Sequence, residues 1–216
     1  MRITVKSSER IILMSKTGGG KTVFAKFFLR PISTKMRVAI VDPKHFWLGD
    51  DPIWEEDKRK PGTIDRPHLT KVFNPKWQVQ VFQPLEYDKK LDKFLKDILK
   101  EKRVWTHIDD TAGLCTASSV PDGINRVWTQ GRALRVGASV GSQTYNRIPT
   151  IFRSQAEKFW VGIVGKDDIK DAANLVNVEP FEVENLDTWE YIWYDNTCMR
   201  QGLWCPPIKF EEPKVA

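Results

Sequence analysis

Two spacings of apolar residues organise this chain. Short unbroken runs such as Ile11-Ile12-Leu13-Met14 and Val38-Ala39-Ile40-Val41 are bounded by charge, glycine or proline, the pattern of strands buried on both faces of a parallel sheet. Elsewhere Leu91, Phe94, Leu95, Ile98 and Leu99 recur at helical spacing with lysines on the other side, as in a helix packed on a core. The pattern predicts strands over Arg10–Ser15, Met36–Asp42, Gln78–Gln83, Arg103–Asp110, Val136–Gln143 and Glu157–Val164, with a short edge strand over Arg2–Lys6. Helices are expected over Lys21–Arg30, stopped by Pro31, and over Tyr87–Lys102, Asn125–Arg135 and Lys166–Val176, with a helical turn over Pro149–Ser154. Trp189–Tyr194 and Met199–Trp204 read as a terminal hairpin around Asp195-Asn196-Thr197. Strands that alternate with helices imply an α/β fold whose mostly parallel sheet is flanked by helices on both faces, with an antiparallel edge.

Residues 1–205 read as one domain, interrupted over 45–77 by a long excursion rich in charge, proline and tryptophan that has room for one hairpin, and followed by a polar tail over 206–216. In the excursion, Lys58-Arg59-Lys60 is either an ordinary charged loop or a contact for a polyanion, and Trp47, Trp54 and Trp77 either pack it down or sit in a subunit interface.

The candidate chemistry starts between the first strand and the first helix. Ser15-Lys16-Thr17-Gly18-Gly19-Gly20-Lys21-Thr22 is a strand–turn–helix junction with three consecutive glycines. Glycines let several backbone N–H groups converge on one anion, and the helix adds its positive dipole end there. Lys21 is placed to reach β- and γ-phosphates and Thr22 to complete the shell of a Mg²⁺ ion, so the expected ligands are ATP and magnesium. Ser15 stands where the usual GxxxxGK[ST] pattern starts with glycine.

Hydrolysis needs a carboxylate near the metal and a group that orients water. Ligands of parallel sheets gather at the carboxyl ends of the strands, where Asp109 and Asp110 close one predicted strand and Gln143 closes another. Asp109 is the candidate metal carboxylate, Asp110 the base, and Gln143 the sensor of the γ-phosphate. The run Asp-Asp-Thr-Ala-Gly is equally good turn-capping chemistry, and Gln143 could satisfy a neighbouring loop. Arg132 and Arg135, three apart on a predicted helix, are candidates for an arginine that enters a neighbouring subunit's site.

Composition changes this picture little. The chain has 216 residues and 41% hydrophobic content, enough for one sizeable core, and 34 Lys and Arg against 28 Asp and Glu leave a net charge of +6 that mildly favours a polyanionic partner. Cys115, Cys198 and Cys205 are too scattered for a disulfide framework, which points to a reduced, intracellular setting, and His45, His68 and His107 lack zinc-ligand spacing. Neither a signal peptide nor a membrane span is legible, so a soluble protein is expected.

The order of motifs resembles the HerA/FtsK superfamily of DNA-translocating ATPases. SKTGGGKT at 15–22 is similar to that family's GxTGxGKT, Asp42-Pro43-Lys44 to its DPK signature, and Ile108-Asp109-Asp110 to its hydrophobic-DE box, with Asp110 where the family usually has glutamate. Gln143 in GSQT falls at the family's polar sensor, and Arg132 and Arg135 fall in the helix that carries its trans-acting arginine. The likeness covers about residues 10–165 and implies a RecA-like P-loop fold. Small cores of this kind resemble the genome-packaging ATPases of tailless double-stranded DNA viruses with an internal membrane. That resemblance implies a homo-oligomeric ring, most often a hexamer, which threads duplex DNA without sequence specificity into a preformed capsid. Capsid vertex proteins and viral membrane proteins would then be partners, in the host cytoplasm or at the packaging vertex. The competing expectations are a HerA-like or conjugative DNA pump, a P-loop ATPase of filamentous virus assembly or protein export, and a small-molecule kinase, for which no lid of clustered arginines is legible.

Overall fold

The computed structural model describes residues 5–48 and 68–207. Nine strands form a single sheet in the order β3-β4-β2-β5-β6-β1-β7-β8-β9. From β3 to β7 every pairing is parallel, and β8 and β9 add an antiparallel edge. The strands are β1 (Arg10–Met14), β2 (Arg37–Val41), β3 (His68–Leu69), β4 (Val79–Phe82), β5 (Val104–Ile108), β6 (Gly137–Ser142), β7 (Lys158–Val161), β8 (Tyr191–Asp195) and β9 (Leu203–Cys205). The helices are α1 (Lys21–Ser33), α2 (Lys89–Glu101), α3 (Asp122–Thr129), α4 (Thr150–Gln155), α5 (Ile169–Val176) and α6 (Pro180–Glu184).

The pleat sorts the strand residues into two cores. Ile11 and Leu13 of β1, with Val38 and Ile40 of β2, join Phe24, Phe28 and Leu29 of α1 on one face. Ile12, Met14, Ala39 and Val41 turn to the other face and meet α2, α3, α4, α5 and α6 through residues such as Phe94, Trp128, Phe152 and Val176. Helices cover both faces as expected, but unequally: among the described residues α1 is the only helix on its side. Every residue of β1 is buried, as required of a strand with helices above and below.

Several boundaries differ from the sequence reading. Pro31 lies inside α1, which continues to Ser33. A proline removes one N–H, a loss tolerated in the last turns of a helix, and the terminal carbonyls that the helix end leaves over are met by side chains: Ser33 Oγ donates to the Arg30 carbonyl at 2.7 Å and Thr34 Oγ1 to the Pro31 carbonyl at 2.8 Å. The helix expected over Asn125–Arg135 is α3 from Asp122 to Thr129 followed by a 3₁₀ turn over Gly131–Leu134. Its end is set by Arg10, whose fully buried guanidinium donates to the carbonyls of Trp128 (2.6 Å), Val127 (3.1 Å) and Val136 (2.8 Å). Burial lowers the Arg10 pKa to about 10, so the charge that closes the helix persists at neutral pH.

Where the excursion is described, β3 pairs parallel with β4, and most of the span that has room for a hairpin lies outside the described residues. Trp47 is buried on the α1 face and Trp77 stacks on His68 with ring centroids 4.8 Å apart; Trp54 and Lys58-Arg59-Lys60 lie outside the described residues. Of the expected edge strand over Arg2–Lys6, only Val5 and Lys6 are described, and neither is in a strand. The unpredicted α6 begins with a reciprocal capping box between Glu179 and Glu182.

Candidate active site

The register puts the candidate residues on one edge. Met14 pairs with Ser142 and Val161, and Val41 pairs with Ile108, so the chain leaves β1, β2, β5 and β6 at the same end and delivers Ser15, Asp42, Asp109 and Gln143 there. Between Ser15 and α1 the backbone turns through Gly18 (φ 79°) and Gly20 (φ 84°), left-handed positions that favour glycine. Ser15 has a structural role where the usual pattern has glycine: its hydroxyl lies 3.2 Å from the Gly19 carbonyl and 3.1 Å from that of Ile163. Gly20 forms the N-cap of α1 without a side-chain cap, which leaves the first N–H groups of that helix unclaimed by side chains.

Lys21 and Thr22, the first residues of α1, face Asp109. The Lys21 ammonium donates to the Asp109 carbonyl at 2.6 Å and lies 3.3 Å from Oδ1, and the Thr22 hydroxyl donates to Oδ2 at 2.9 Å. The side chains of Lys21 and Asp109 are 9% and 2% exposed, so the pair is shielded from solvent. Burial alone would push the Asp109 carboxyl up; the His107 ring, the Lys21 charge and the Thr22 hydroxyl outweigh it and hold Asp109 well below the usual carboxylate range. A buried carboxylate beside a threonine hydroxyl supplies the hard oxygens Mg²⁺ takes. Among the described residues there is no group of three or more His, Cys, Asp or Glu that could hold a metal ion.

His107, missed in the sequence, lies beneath Asp109. Trp105 Nε1, which can only donate, meets Ser139 Oγ at 2.9 Å, and Ser139 Oγ lies 2.9 Å from His107 Nδ1. Hydrogen-bond satisfaction then assigns the serine proton to Nδ1 and the ring proton to Nε2. Nε2 is 3.5 Å from Asp109 Oδ1, a long contact that is electrostatic more than hydrogen-bonded. Burial lowers the His107 pKa against the pull of Asp109, which keeps the ring neutral.

Asp110 occupies a second position next door. Its Oδ1 accepts from the Ala112 N–H at 3.0 Å, so the turn-capping reading of this residue holds. Its Oδ2 accepts from the Gln143 amide at 3.2 Å and is ion-paired with the Lys44 ammonium. Gln143 Oε1 in turn accepts from the Thr17 hydroxyl at 3.0 Å, which ties cradle, sensor position and second acid into one chain of contacts. Lys44 reaches this point because Asp42 fastens the loop behind it, accepting from the N–H groups of Phe46 (3.1 Å) and Trp47 (2.9 Å) and from the Gln83 amide (3.0 Å). The sequence flagged Asp42-Pro43-Lys44 as a motif but not the partner of its lysine.

Arg132 and Arg135 are not part of this cluster within one chain. Arg135 sits just before β6 with φ 56° and Gln143 just after it, so at roughly 3.3 Å per residue the two ends are about 20 Å apart. Arg132 is half-exposed and pairs with Glu157 at 3.2 Å. Arg135 lines an open cleft with Phe24, Phe28, Trp105, Lys35 and Arg103, at the edge of the sheet opposite the cradle.

No protein-family model matches the chain, and no curated protein matches it in sequence. Solved structures do resemble it. The genome packaging NTPase B204 of Sulfolobus turreted icosahedral virus 2, in complex with ATP-gammaS, superposes with a TM-score of 0.74 at 14% identity over 95% of this chain and 100% of that one. The DNA-packaging ATPase B204 of Sulfolobus Turreted Icosahedral Virus gives 0.73 at 15% identity over 93% and 98%. The pCW3 conjugation coupling protein TcpA with ATPgS gives 0.60 at 15% identity, over 91% of this chain and 59% of that one. The fold is therefore that of P-loop NTPases, as the motif order implied.

Proposed function

We propose that this chain is an ATP-hydrolysing motor that moves double-stranded DNA, and that its task is the packaging of a viral genome into a preformed capsid. One observation carries the reading: Lys21 and Thr22 of a glycine cradle face the carboxylate of Asp109, with Asp110 joined through Gln143 to Thr17 of the same cradle. The triphosphate lies over residues 15–22, its oxygens taking the backbone N–H groups and the Lys21 ammonium in place of Asp109. Thr22 and Asp109 would hold magnesium, which would supply positive charge against the triphosphate. Gln143 and Asp110 flank the attacking water. Asp110 accepts its proton as the water oxygen bonds to the γ-phosphorus, the bridging bond breaks and ADP departs. Arg132 or Arg135 of a neighbouring subunit adds positive charge in the transition state, an effect worth about 10³–10⁵ in rate.

The ring, hexameric in this reading, follows from processivity: a single-site domain must be held on its polymer by neighbours while it resets. The net charge of +6 suits contact with phosphate backbones of any sequence. Capsid vertex and viral membrane proteins are the partners of this reading. Among the described residues no helix is long and apolar enough to cross a membrane. The likeness to a conjugation coupling protein supports a second reading, a DNA pump of conjugation.

ATP turnover of the purified chain, with and without linear duplexes of unrelated sequence, tests the proposal. Turnover should rise several-fold with any duplex and vanish in Lys21→Ala and Asp110→Asn. Turnover indifferent to DNA overturns translocation, and an absence of turnover under all conditions overturns the ATPase.

A further inference from the structure

The acids mark only one end of a bound triphosphate. Asp109, Asp110 and Gln143 follow β5 and β6, on one side of β1 in the sheet order, and they define where the γ-phosphate lies. The nucleoside must then leave the cradle on the other side, toward β7 and β8. The residue that waits there is Trp189, two positions before β8. A Cβ built on Gly20 would come within 2.6 Å of the Trp189 ring and 2.5 Å of the Tyr191 hydroxyl, so the indole lies directly against the last glycine of the cradle.

Two properties separate this indole from the core tryptophans. The residue is 36% exposed, whereas Trp160 and Trp193 on the neighbouring strands are 4% exposed. Its backbone is held at φ 72°, a conformation costly for a bulky side chain and readily taken by glycine or asparagine. A strained backbone persists only where its surroundings over-determine it, and here they do. Asp187 N–H donates to the Glu190 carboxylate at 2.9 Å and Glu190 N–H to the Asp187 carbonyl at 3.0 Å, which closes the turn. The Tyr191 hydroxyl donates to the Gly19 carbonyl at 3.2 Å, which pins the turn to the cradle. Strain, exposure and fixed placement fall on a flat π-surface beside a phosphate site.

We propose that Trp189 is the stacking platform for the nucleobase, and thus the residue that makes this a site for nucleotides and not for inorganic polyphosphate alone. The inference rests on the phosphate-cradle reading above. It also assigns the direction of the ligand, with the base over the β7–β8 side and the terminal phosphate over β5 and β6. Stacking is tolerant of base identity, so the platform contributes affinity for nucleotides whatever their base.

Calorimetric titration with ATP and with inorganic tripolyphosphate, both with magnesium, tests it on the full chain. Trp189→Asn removes the ring but suits the left-handed backbone, so the fold is retained; Trp189→Phe keeps an aromatic face. Trp189→Asn should weaken ATP about tenfold and leave tripolyphosphate unchanged, while Trp189→Phe stays close to the parent chain. Unchanged ATP affinity in Trp189→Asn overturns the platform while the cradle stands. Equal losses for ATP and tripolyphosphate also overturn it, since Trp189 would then only shape Gly20. Failure of the unaltered chain to bind either ligand removes the cradle and this inference with it.

Discussion

At the scale of single residues, the arrangement around Asp109 separates what a side chain does from what holds it. Lys21 and Thr22 touch the carboxylate directly, whereas His107 only orients it, through a neutral ring braced by Ser139 and Trp105. Outer-shell partners of a metal carboxylate typically change metal affinity by about 10–100-fold. His107→Phe, which keeps the volume and loses the N–H, should raise the magnesium concentration needed for half-maximal turnover at least tenfold. Nucleotide affinity measured in chelator should stay unchanged, and equal losses in both would assign His107 to packing alone. The directly contacting residues were legible in the sequence because a glycine turn, a lysine and strand-end acids are chemistry that announces itself. His107 was not, since a histidine two residues before an acid acquires meaning only when strand pairing brings Ser139 beside it. Lys44 was half legible, because its motif stood out while its partner Asp110 is a product of the loop that Asp42 fastens.

At the scale of elements, β6 is built to let the cradle and the acids approach one another. Gly141 lies against the Asp109 backbone, and a Cβ there would fall well inside contact of the Asp109 carbonyl and 3.0 Å from the Lys21 ammonium. Overpacking of this kind costs about 1–3 kcal/mol. Gly141→Ala should lower unfolding free energy by that amount in denaturant titration, with turnover falling further because β5 and α1 are pushed apart where their side chains meet. A variant as stable and as active as the parent chain would show that the strands yield without cost. Strand and helix periods identified most of the elements. The end of α3 was not legible because it depends on Arg10, which is remote in sequence from the helix it ends, and local pattern carries no record of such a partner. The end of α1 was placed too early because Pro31 reads as a stop, whereas the helix runs on to Ser33 and the hydroxyls of Ser33 and Thr34 meet its terminal carbonyls.

At the scale of the whole molecule, one sheet separates two chemistries. The glycine cradle, Lys21 and the acids crowd its carboxyl edge, while Arg135, Arg103 and Lys35 gather around a cleft at the opposite edge. A ring that places one subunit's arginine in the next subunit's site makes a specific forecast for mixtures. Arg132→Ala or Arg135→Ala subunits, inactive alone, should regain part of their turnover when mixed with inactive Lys21→Ala subunits, since some interfaces then contain an intact cradle facing an intact arginine. Mixtures as inactive as their components would exclude a role across the interface for that arginine. The mostly parallel sheet and its antiparallel edge were foreseeable from the alternation of strands and helices. The uneven coverage of the two faces was not, because amphipathic patterns say that a helix packs and not on which side.

The lysines of the site are already electrically matched, Lys21 against Asp109 and Lys44 against Asp110. An incoming polyphosphate therefore exchanges one set of ion pairs for another, and its net affinity is the small difference between two large attractions. In the motor proposed above, the protein's own acids would reclaim the lysines once the terminal charge had gone, and ejection of product would be favoured by contacts that the protein itself supplies.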